Sequence, residues 1–381
     1  MAVTKGKSIL IVVNSLDAFL SHRLPIGLAA QTSGFKVKVV YGEASEDSKI
    51  AVLGAGIEAF KVPIRRGGMN FFSEILSVFA ILKLFLIEKP DLVHLVTLKP
   101  ILYGGLCARL AKIPAVVFAV AGMGFIYTGK PTIKIIALQT LLKIIFCLAL
   151  RHKNNAIIFQ NTEDEKIITD MMGQIKIKTC LIKGSGVDLK KFRPVRGFNG
   201  QPTIVMASRM LADKGVREFV AAAKVIKTKG LDSTFLFAGA QDPENPSSIC
   251  QDDLELWKKE GFVHFIGLRR DIENIYNHAH IIVLPSYREG LPKSLIEAAA
   301  CGRPIVTTDA CGCRDTIIPD VTGILVKPRD ITSLANAIEK LIINKNLVRS
   351  MGSAGRRFAE KNFSIENVVE KHLALYKELL F

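Results

Sequence analysis

Two glutamates, Glu289 and Glu297, lie eight positions apart in the stretch REGLPKSLIEAAACG, which covers residues 288–302. Pro292 between them suits the first turn of a helix, where its missing N–H costs nothing, and Gly302 is a typical helix stop. Glu297 then lies about 7–8 Å along the helix axis. Because a helix N-terminus favours an anion such as phosphate, the two acids could accept hydrogen bonds from hydroxyl groups on either side of a bound phosphate.

Two cations occur in an earlier stretch, IVMASRMLADKGVREFVAAAK, where Arg209 follows an apparent strand and Lys214 begins a helix. Both could reach one diphosphate, the arginine as a bidentate fork and the lysine as a point charge. Taken singly, each of these residues has an ordinary explanation: a helix N-terminal acid for Glu289, an exposed helix residue for Glu297 and surface cations for the other two. Because all four residues lie near strand ends, together they favour a site that binds a sugar linked through a diphosphate to a ribose.

The elements that must position these residues are short β-branched strands alternating with helices, which is typical of parallel sheets covered on both faces. A polar interruption at 193–202 separates two such series and predicts two doubly wound domains, over 1–190 and 191–362. The last helix, 363–381, is long enough to pack back on the first domain, and Gly352 and Gly355 are expected to break the closing helices. The predicted strands are 8–14, 35–41, 92–96, 115–120, 156–160, 178–182, 203–207, 234–239, 263–267, 281–284, 304–308 and 324–326.

The formal net charge of +16 is concentrated at 61–153, a segment that contains 13 Lys and Arg residues and only three Asp and Glu residues. The same region contains two apolar helical segments, 71–89 and 131–153, so it suggests an anionic membrane surface as a partner. A pair of buried helices with solvated lysine tips explains the pattern equally well. Nucleic acid is disfavoured because no helix carries a dense basic row. The longest apolar stretch, 135–150, falls short of the ~20 residues of a membrane span.

Several motifs resemble cofactor sites but depart from them at defining positions. GAGIEA at 54–59 precedes a strand-like run instead of following one, so it reads as a helix end and turn rather than a dinucleotide fingerprint. In GFIYTGKP at 124–131, Pro131 replaces the hydroxyl of a P-loop. The seven cysteines form no zinc or redox spacing, and no D-x-D pair occurs. We therefore predict neither metal nor cofactor, with any diphosphate held by backbone amides, Lys and Arg.

The sequence resembles the retaining glycosyltransferases of family 4. Four motifs in order carry the resemblance: GSGVDLKKFRP at 184–194, the SRMLADKG loop, EGLPKSLIE, and GCRDTIIPDVTGILVKP at 312–328. The similarity covers nearly the whole chain and is strongest over 184–330. It implies the GT-B fold, in which two Rossmann-like domains face a cleft, and a UDP-sugar donor whose hexose or N-acetylhexosamine is transferred with retention of configuration.

The resemblance also implies roles for individual residues. The donor diphosphate would be held by Arg209 and Lys214 without metal, the ribose by Glu297 and the transferred sugar by Glu289. Catalysis would depend on Arg209, Lys214 and Glu289, through an oxocarbenium-like transition state stabilised by the donor phosphate. The remaining donor-binding assignments come with the motifs and are Gly184, Gly290, Leu291, Lys293 and Ser294.

The acceptor side departs from many relatives in two places. SLDAFLSHRLPI lacks their Gly-Gly pair and resembles members that extend polyprenyl-diphosphate-linked oligosaccharides for O-antigen, capsule or protein glycosylation. His22 and Arg23, at an expected helix start, could meet an acceptor phosphate, or could be a capping histidine and a surface arginine. Ala121 replaces a histidine found before the corresponding glycine, and Gly122 and Gly124 would allow close backbone approach to the acceptor.

The apolar run that precedes Asn14 near the N-terminus is only five residues long, which is too short for a signal-peptide core. We therefore expect a cytoplasmic protein that is peripheral on the inner face of the cytoplasmic membrane. Two alternatives stay open at this point: a UDP-sugar 2-epimerase of the same fold, and a non-catalytic basic binding protein. The donor sugar, the linkage and the acceptor's identity cannot be read from the sequence.

Overall fold

The computed structural model describes residues 6–64, 71–122, 133–173, 177–195 and 200–381. The chain forms two compact units, one of Met1–Ser185 together with Glu366–Phe381 and the other of Gly186–Ile365. The sequence-based boundaries at 190 and 362 lie within five residues of these divisions.

The first unit contains a parallel sheet of seven strands in the order β3-β2-β1-β4-β5-β6-β7. The order reverses between β1 and β4, which are direct neighbours with Ile9 opposite Leu92. In open α/β sheets, ligands bind beyond the carboxyl ends of the strands at this switch point. The strands are β1 (Ser8–Ser15), β2 (Lys36–Glu43), β3 (Glu58–Lys61), β4 (Leu92–Val96), β5 (Ala115–Val120), β6 (Asn155–Phe159) and β7 (Lys178–Leu181).

Helices cover both faces of this sheet. Along β1, Leu10 and Val12 belong to the apolar core on one face, while Ile9, Ile11 and Val13 belong to the core on the other. This alternation explains why the strand reads as an unbroken apolar run. The helices are α1 (Leu16–His22), α2 (Leu24–Thr32), α3 (Glu46–Gly54), α4 (Phe71–Glu88), α5 (Leu98–Leu110), α6 (Ile133–Leu150), α7 (Thr162–Met172) and the last of the chain, α14 (Ile365–Leu380).

The second unit repeats the plan with six parallel strands in the order β10-β9-β8-β11-β12-β13. Its switch point lies between β8 and β11, which pair at Ile281 and Ile204. The strands are β8 (Thr203–Ala207), β9 (Thr234–Ala238), β10 (His264–Phe265), β11 (Ile281–Leu284), β12 (Ile305–Thr308) and β13 (Gly323–Val326). The helices are α8 (Val216–Thr228), α9 (Gln251–Glu260), α10 (Ile272–His278), α11 (Lys293–Ala300), α12 (Ile331–Ile343) and α13 (Lys345–Asn362).

The structure corrects the expectation that Gly352 and Gly355 break the closing helices, because α13 runs through both. A side chain at position 352 would place its Cβ 2.1 Å from the carbonyl oxygen of Gly302. Gly352 therefore allows α13 to pack closely on the turn after α11, and the interruptions fall at Asn344 and Phe363 instead. A buried helix glycine often marks such close packing rather than a helix end.

The strand-like run noted after the start of GAGIEA forms the four-residue edge strand β3, which the list of predicted strands did not include. GAGIEA, just before it, ends α3 at Gly54 and turns through Gly56 at a φ of 68°. A left-handed residue after a helix is a common way to stop it, which agrees with the interpretation of this motif as a turn.

Candidate functional site

The switch point of the second sheet brings together the loops that follow β8 and β11. Arg209 lies two residues beyond the end of β8, and Glu289 lies five residues beyond the end of β11. Lys214 ends a short 3₁₀ turn, Ala212–Lys214, just before α8. All three candidate catalytic residues therefore lie at the edge of the sheet where a doubly wound fold binds its ligand.

Lys214 and Glu289 form an ion pair that joins these two loops. Their side chains are only 19% and 12% exposed, so water screens the pair less than it screens a surface pair. The contact is supported by the backbone, because Tyr287 N donates to Asp213 O at 2.9 Å. Gly215, with a φ of 77°, sits where an added Cβ would be 2.2 Å from Pro285 O. The turn can therefore approach the end of β11 only with glycine at that position.

The loop after β12 fixes the backbone of Glu289. Glu289 N donates to Cys311 O at 2.9 Å, and Gly312 packs so closely that an added Cβ would lie 2.4 Å from Glu289 O and 2.5 Å from Gly290 O. Gly312 is left-handed, with a φ of 77°, and its N–H donates to Asp315 Oδ2 at 3.0 Å. The motif that begins at Gly312 thus acts as a support for Glu289. Sequence reasoning had used it for recognition and gave it no structural role.

Glu297 lies on α11 and is 9% exposed, so the interpretation of this residue as an exposed helix side chain is wrong. Burial raises its pKa to about 6, while the nearby cations of Lys293 and Lys191 favour the charged form. Lys293 Nζ lies 3.5 Å from Glu297 Oε1. A carboxylate in this setting is still mostly ionised at neutral pH, and it can accept hydrogen bonds from hydroxyl groups.

The end of the loop before α11 and the first turn of that helix carry the other donor-binding candidates of the second unit. Gly290 and Leu291 are buried, Lys293 and Ser294 are half-buried, and Pro292 is the residue before the helix rather than its first residue. Pro292 has no side chain that can cap the helix. A helix start without a side-chain cap offers backbone N–H groups to an anion.

Arg209 is paired with Asp242, whose Oδ2 lies 2.6 Å from Arg209 Nη1. The arginine side chain is 45% exposed and the aspartate 23%. Asp242 follows β9, the strand beside β8, and Ala207 is opposite Ala238 at the ends of the two strands. Sequence reasoning missed Asp242. The adjacency of the two loops was the signal that could have found it.

The switch point of the first sheet is occupied by neutral side chains. Asn14 Nδ2 at the end of β1 donates to Thr97 Oγ1 after β4, at 2.9 Å. Ala121 and Gly122 follow β5, and Gly122 has a φ of 107°. Gly124 and the whole motif 124–131 lie outside the described residues. Gly184, placed in the donor site by its motif, belongs to the first unit and has a φ of 70°.

His22 ends α1, and Arg23 is the residue from which α2 begins, so the expected helix start is present at Arg23. His22 Nδ1 is 3.0 Å from Ser185 Oγ. Arg23 is 3% exposed, so it is not the surface arginine of the alternative interpretation. Its Nη1 donates to His22 O at 3.0 Å, and burial lowers its pKa to about 10. Such a buried guanidinium is poorly placed to meet a bulky phosphate from solvent.

A buried polar cluster surrounds this arginine in the first unit. His94 Nδ1 on β4 lies 2.6 Å from the hydroxyl of Tyr376, and the His94 and His372 rings are 5.7 Å apart. Burial lowers the pKa of His372 to about 3 and holds the pKa of His94 well below its usual value. These groups attach α14 to the first sheet as neutral partners, which leaves Arg23 as the cation among them.

Metal-binding side chains do not cluster in the described part of the chain, where no group of three or more His, Cys, Asp or Glu residues is placed to hold an ion. The candidate site consists of two ion pairs between loops, Lys214 with Glu289 and Arg209 with Asp242, and of Glu297 farther along the chain on α11, where it lies beside Lys293. Its cations and acids suit a diphosphate flanked by hydroxyl groups.

Two Rossmann-like parallel sheets, with paired charges at the switch point of the second, are the arrangement expected of the GT-B fold. Comparison with family models agrees. Residues 188–358 match the family described as glycosyl transferases group 1, and residues 8–161 match the glycosyl transferase 4-like family. The chain therefore carries both glycosyltransferase domains, which confirms the predicted fold class and the resemblance to glycosyltransferases, while retention of configuration stays a prediction.

Relatives of known activity match almost the full chain. The N,N'-diacetylbacillosaminyl-diphospho-undecaprenol α-1,3-N-acetylgalactosaminyltransferase of Campylobacter jejuni is 28% identical over 95% of this chain and 98% of its own. The UDP-Gal:α-D-GlcNAc-diphosphoundecaprenol α-1,3-galactosyltransferase of Escherichia coli is 28% identical over 86% of each chain. Among solved structures, HepE of Anabaena in complex with UDP has a TM-score of 0.77 at 17% identity, over 98% of this chain and 100% of its own.

Proposed function

We propose that this glycosyltransferase moves a hexose or N-acetylhexosamine from a UDP-sugar to a saccharide carried on a polyprenyl diphosphate, with retention of configuration. It would act in the synthesis of a cell-surface polysaccharide or glycan, on the inner face of the cytoplasmic membrane. Divalent metal takes no part in this proposal, because Arg209, Lys214 and backbone N–H groups supply the positive charge that a diphosphate needs.

The observation that carries the proposal is the Lys214–Glu289 ion pair at the switch point of the second sheet. A lysine and a glutamate held together with little exposure can exchange partners when a sugar diphosphate arrives. The ammonium group then binds a phosphate oxygen, and the carboxylate accepts hydrogen bonds from sugar hydroxyls. Glu297, buried on α11 nearby, is available for the ribose hydroxyls.

The transfer breaks the bond between the sugar C1 and the donor phosphate oxygen, whose electron pair leaves with UDP. The acceptor hydroxyl oxygen forms the new bond to C1 on the same face, and its proton passes to an oxygen of the leaving phosphate. Negative charge grows on the diphosphate as the bond breaks. Fixed cations placed at that charge lower the barrier because they need no reorganisation during the step.

The relatives support the choice of substrates. The Campylobacter and Escherichia coli enzymes both act on sugars linked to undecaprenol through a diphosphate, and the name of the second gives UDP-Gal as its donor. Both align with this chain over most of their length, so the acceptor-binding unit is included in the similarity. A lipid-linked acceptor requires an enzyme that works at a membrane surface.

An exposed apolar face on α4 supports that location. Leu76, Phe79 and Ile87 are 61%, 65% and 64% exposed, and their spacing places them on one side of the helix with Lys83 among them. None of the described helices is long and apolar enough to cross a membrane. An apolar helix face with interspersed lysine suits the surface of an anionic bilayer.

A donor screen tests the proposed activity. The protein is incubated with UDP- and GDP-sugars, with and without a polyprenyl-diphosphate-linked saccharide, and released nucleotide is measured. We expect UDP release that depends on the acceptor and changes little with EDTA. Consumption of the UDP-sugar without any acceptor would indicate an epimerase, and neither consumption nor nucleotide release with any donor would indicate a binding protein.

Flotation with liposomes that contain phosphatidylglycerol tests the membrane location. Replacing Leu76 and Phe79 by glutamate should abolish co-flotation, because charges on that face oppose insertion. Ile50 and Leu53 on α3, which are 69% and 77% exposed, provide the matched control when changed in the same way. Equal loss in both double variants, or no flotation of the wild type, would contradict a membrane role for α4.

A further inference from the structure

The loop between β9 and α9 runs alongside the loop that carries Arg209 and Lys214. The two segments form a short antiparallel contact, in which Leu211 bridges Ser248. Backbone hydrogen bonds continue the contact along the length of the Arg209 loop, so its path does not depend on its own sequence alone. They run from Met210 N to Ala240 O at 2.9 Å, from Ile249 N to Met210 O at 3.0 Å and from Ala212 N to Ser247 O at 2.7 Å.

The supporting loop is itself held by local hydrogen bonds. Asp242 N donates to Ser248 Oγ at 3.2 Å, and Asp242 O accepts from Asn245 N at 2.8 Å. Asn245 also accepts from Ser247 N through its Oδ1, at 2.9 Å. Because both backbone polar groups of Asp242 are fixed, its carboxylate projects from a defined point.

The Asp242 carboxylate meets Arg209 through one short contact, 2.6 Å from Oδ2 to Nη1. A guanidinium carries five N–H groups in a rigid plane, so an anchor at Nη1 restricts the directions in which the other N–H groups can point and leaves them able to donate. The aspartate side chain is 23% exposed against 45% for the arginine, so the acid is the more buried partner. The cation can thus turn its remaining donors toward a second anion without losing the first.

We infer that Asp242 is a positioning residue, which orients the Arg209 guanidinium for the diphosphate of a nucleotide. This inference rests on the proposed function, since it requires that Arg209 bind that diphosphate. An opposite effect is also conceivable for an acid in this place, namely that it competes with the nucleotide for the arginine. The fixed backbone and the single anchoring contact favour orientation over competition. If Asp242 orients Arg209, removing its charge weakens nucleotide binding, whereas if it competes, removing its charge strengthens binding.

Calorimetric binding of UDP, or of GDP where the wild type prefers it, separates these effects. We expect D242N to weaken binding about fivefold, the upper range for a partly exposed ion pair, and D242E to recover part of the loss. The Arg217–Asp253 pair is the matched control, with a contact of 2.5 Å and exposures of 51% and 27%. D253N should bind the nucleotide as the wild type does, because Arg217 lies on α8 outside the loop.

A double variant tests whether Asp242 acts through Arg209. In an R209Q background, D242N should cause no further loss, since no guanidinium remains to be oriented. An additional loss there, accompanied by a lower melting temperature, would assign the aspartate to loop structure and overturn the inference. Tighter binding by D242N, or wild-type binding by it, would overturn it as well. Wild-type affinity in R209Q would instead remove the proposed role of Arg209, and the inference with it.

Discussion

The two sheets share one strand order, yet the side chains at their switch points differ in kind. The second unit presents charged residues that pair between loops, Lys214 with Glu289 and Arg209 with Asp242. The first unit presents the neutral pair Asn14 and Thr97. The same scaffold therefore supports charged pairs between loops at one switch point and a neutral pair at the other.

The treatment of buried charge differs in the same way. In the second unit the buried acid Glu297 has lysines beside it, whereas Arg23 in the first unit is buried beside His372 and Tyr376. Burial raises the pKa of Glu297 against the effect of these lysines, and it lowers the pKa of Arg23. We therefore expect substitutions in the second unit to change mainly the activity, and substitutions in the first unit to change mainly the stability at acidic pH.

The largest expected effect follows from Lys214→Ala. Removing the least exposed cation of the paired loops should lower turnover about a hundredfold, because a fixed charge at the developing phosphate charge contributes ~3 kcal/mol. The rate of acceptor-dependent UDP release measures it. Lys224→Ala is the control, since Lys224 forms a 2.8 Å pair with Glu260 but is 54% exposed on α8. Similar rates for both variants would remove the distinction between the paired loops and an ordinary charged surface.

The next effect concerns acid stability of the first unit. Because burial lowers the folded-state pKa of His372 to about 3, the unfolded chain binds its proton more readily at every pH between that value and about 6.5. The free energy of unfolding therefore falls as the pH drops through this window, by about 2 kcal/mol at pH 5, and is unaffected above it. His94 adds to the loss in the same direction.

Urea unfolding of His372→Gln at pH 8 and pH 5, followed by circular dichroism, measures this contribution. The variant should lose less stability on acidification than the wild type. His278→Gln is the control, because His278 makes the same bond to a carbonyl four residues earlier, at 2.8 Å, but is exposed. Glu297 opposes the trend, since its raised pKa destabilises the fold above pH 6 and is relieved toward pH 4.5. Acid stability equal in all three proteins would contradict a buried neutral histidine.

The sequence predicted the parallel sheets and the donor-site motifs because the information is local. An unbroken apolar run such as Ile9–Val13 indicates a strand covered on both faces, and Glu289 and Glu297 lie within one loop and helix. Asp242 is 33 residues from Arg209, and His94 is 282 residues from Tyr376. Such partners depend on strand order, which no single stretch of sequence encodes. Gly352 was misread for a related reason, since the turn it packs on is distant in sequence.

The smallest expected effects are those of two glycine-to-alanine substitutions, at Gly312 beside the Glu289 backbone and at Gly261. Comparing them separates the cost of a left-handed backbone from the cost of close packing. Gly312 and Gly261 have similar left-handed φ values, 77° and 73°. At Gly261 an added Cβ meets nothing within 4 Å, whereas at Gly312 it meets Glu289 O at 2.4 Å. Gly261→Ala should therefore cost about 1 kcal/mol of unfolding free energy, from the φ value alone, and leave turnover unchanged.

Gly312→Ala should cost about 1 kcal/mol more, because tight packing resists even one added methyl group. It should also lower turnover about tenfold, since the displaced Glu289 backbone moves the carboxylate away from a sugar that tolerates little misplacement. Parallel urea titrations and initial rates for the two variants separate the contributions. If turnover fell equally in both, the effect would come from the left-handed backbone, and the loop after β12 would have no particular hold on the site. If only Gly312→Ala lost activity, the paired charges of the second unit would depend on the close contact between Gly312 and the backbone of Glu289.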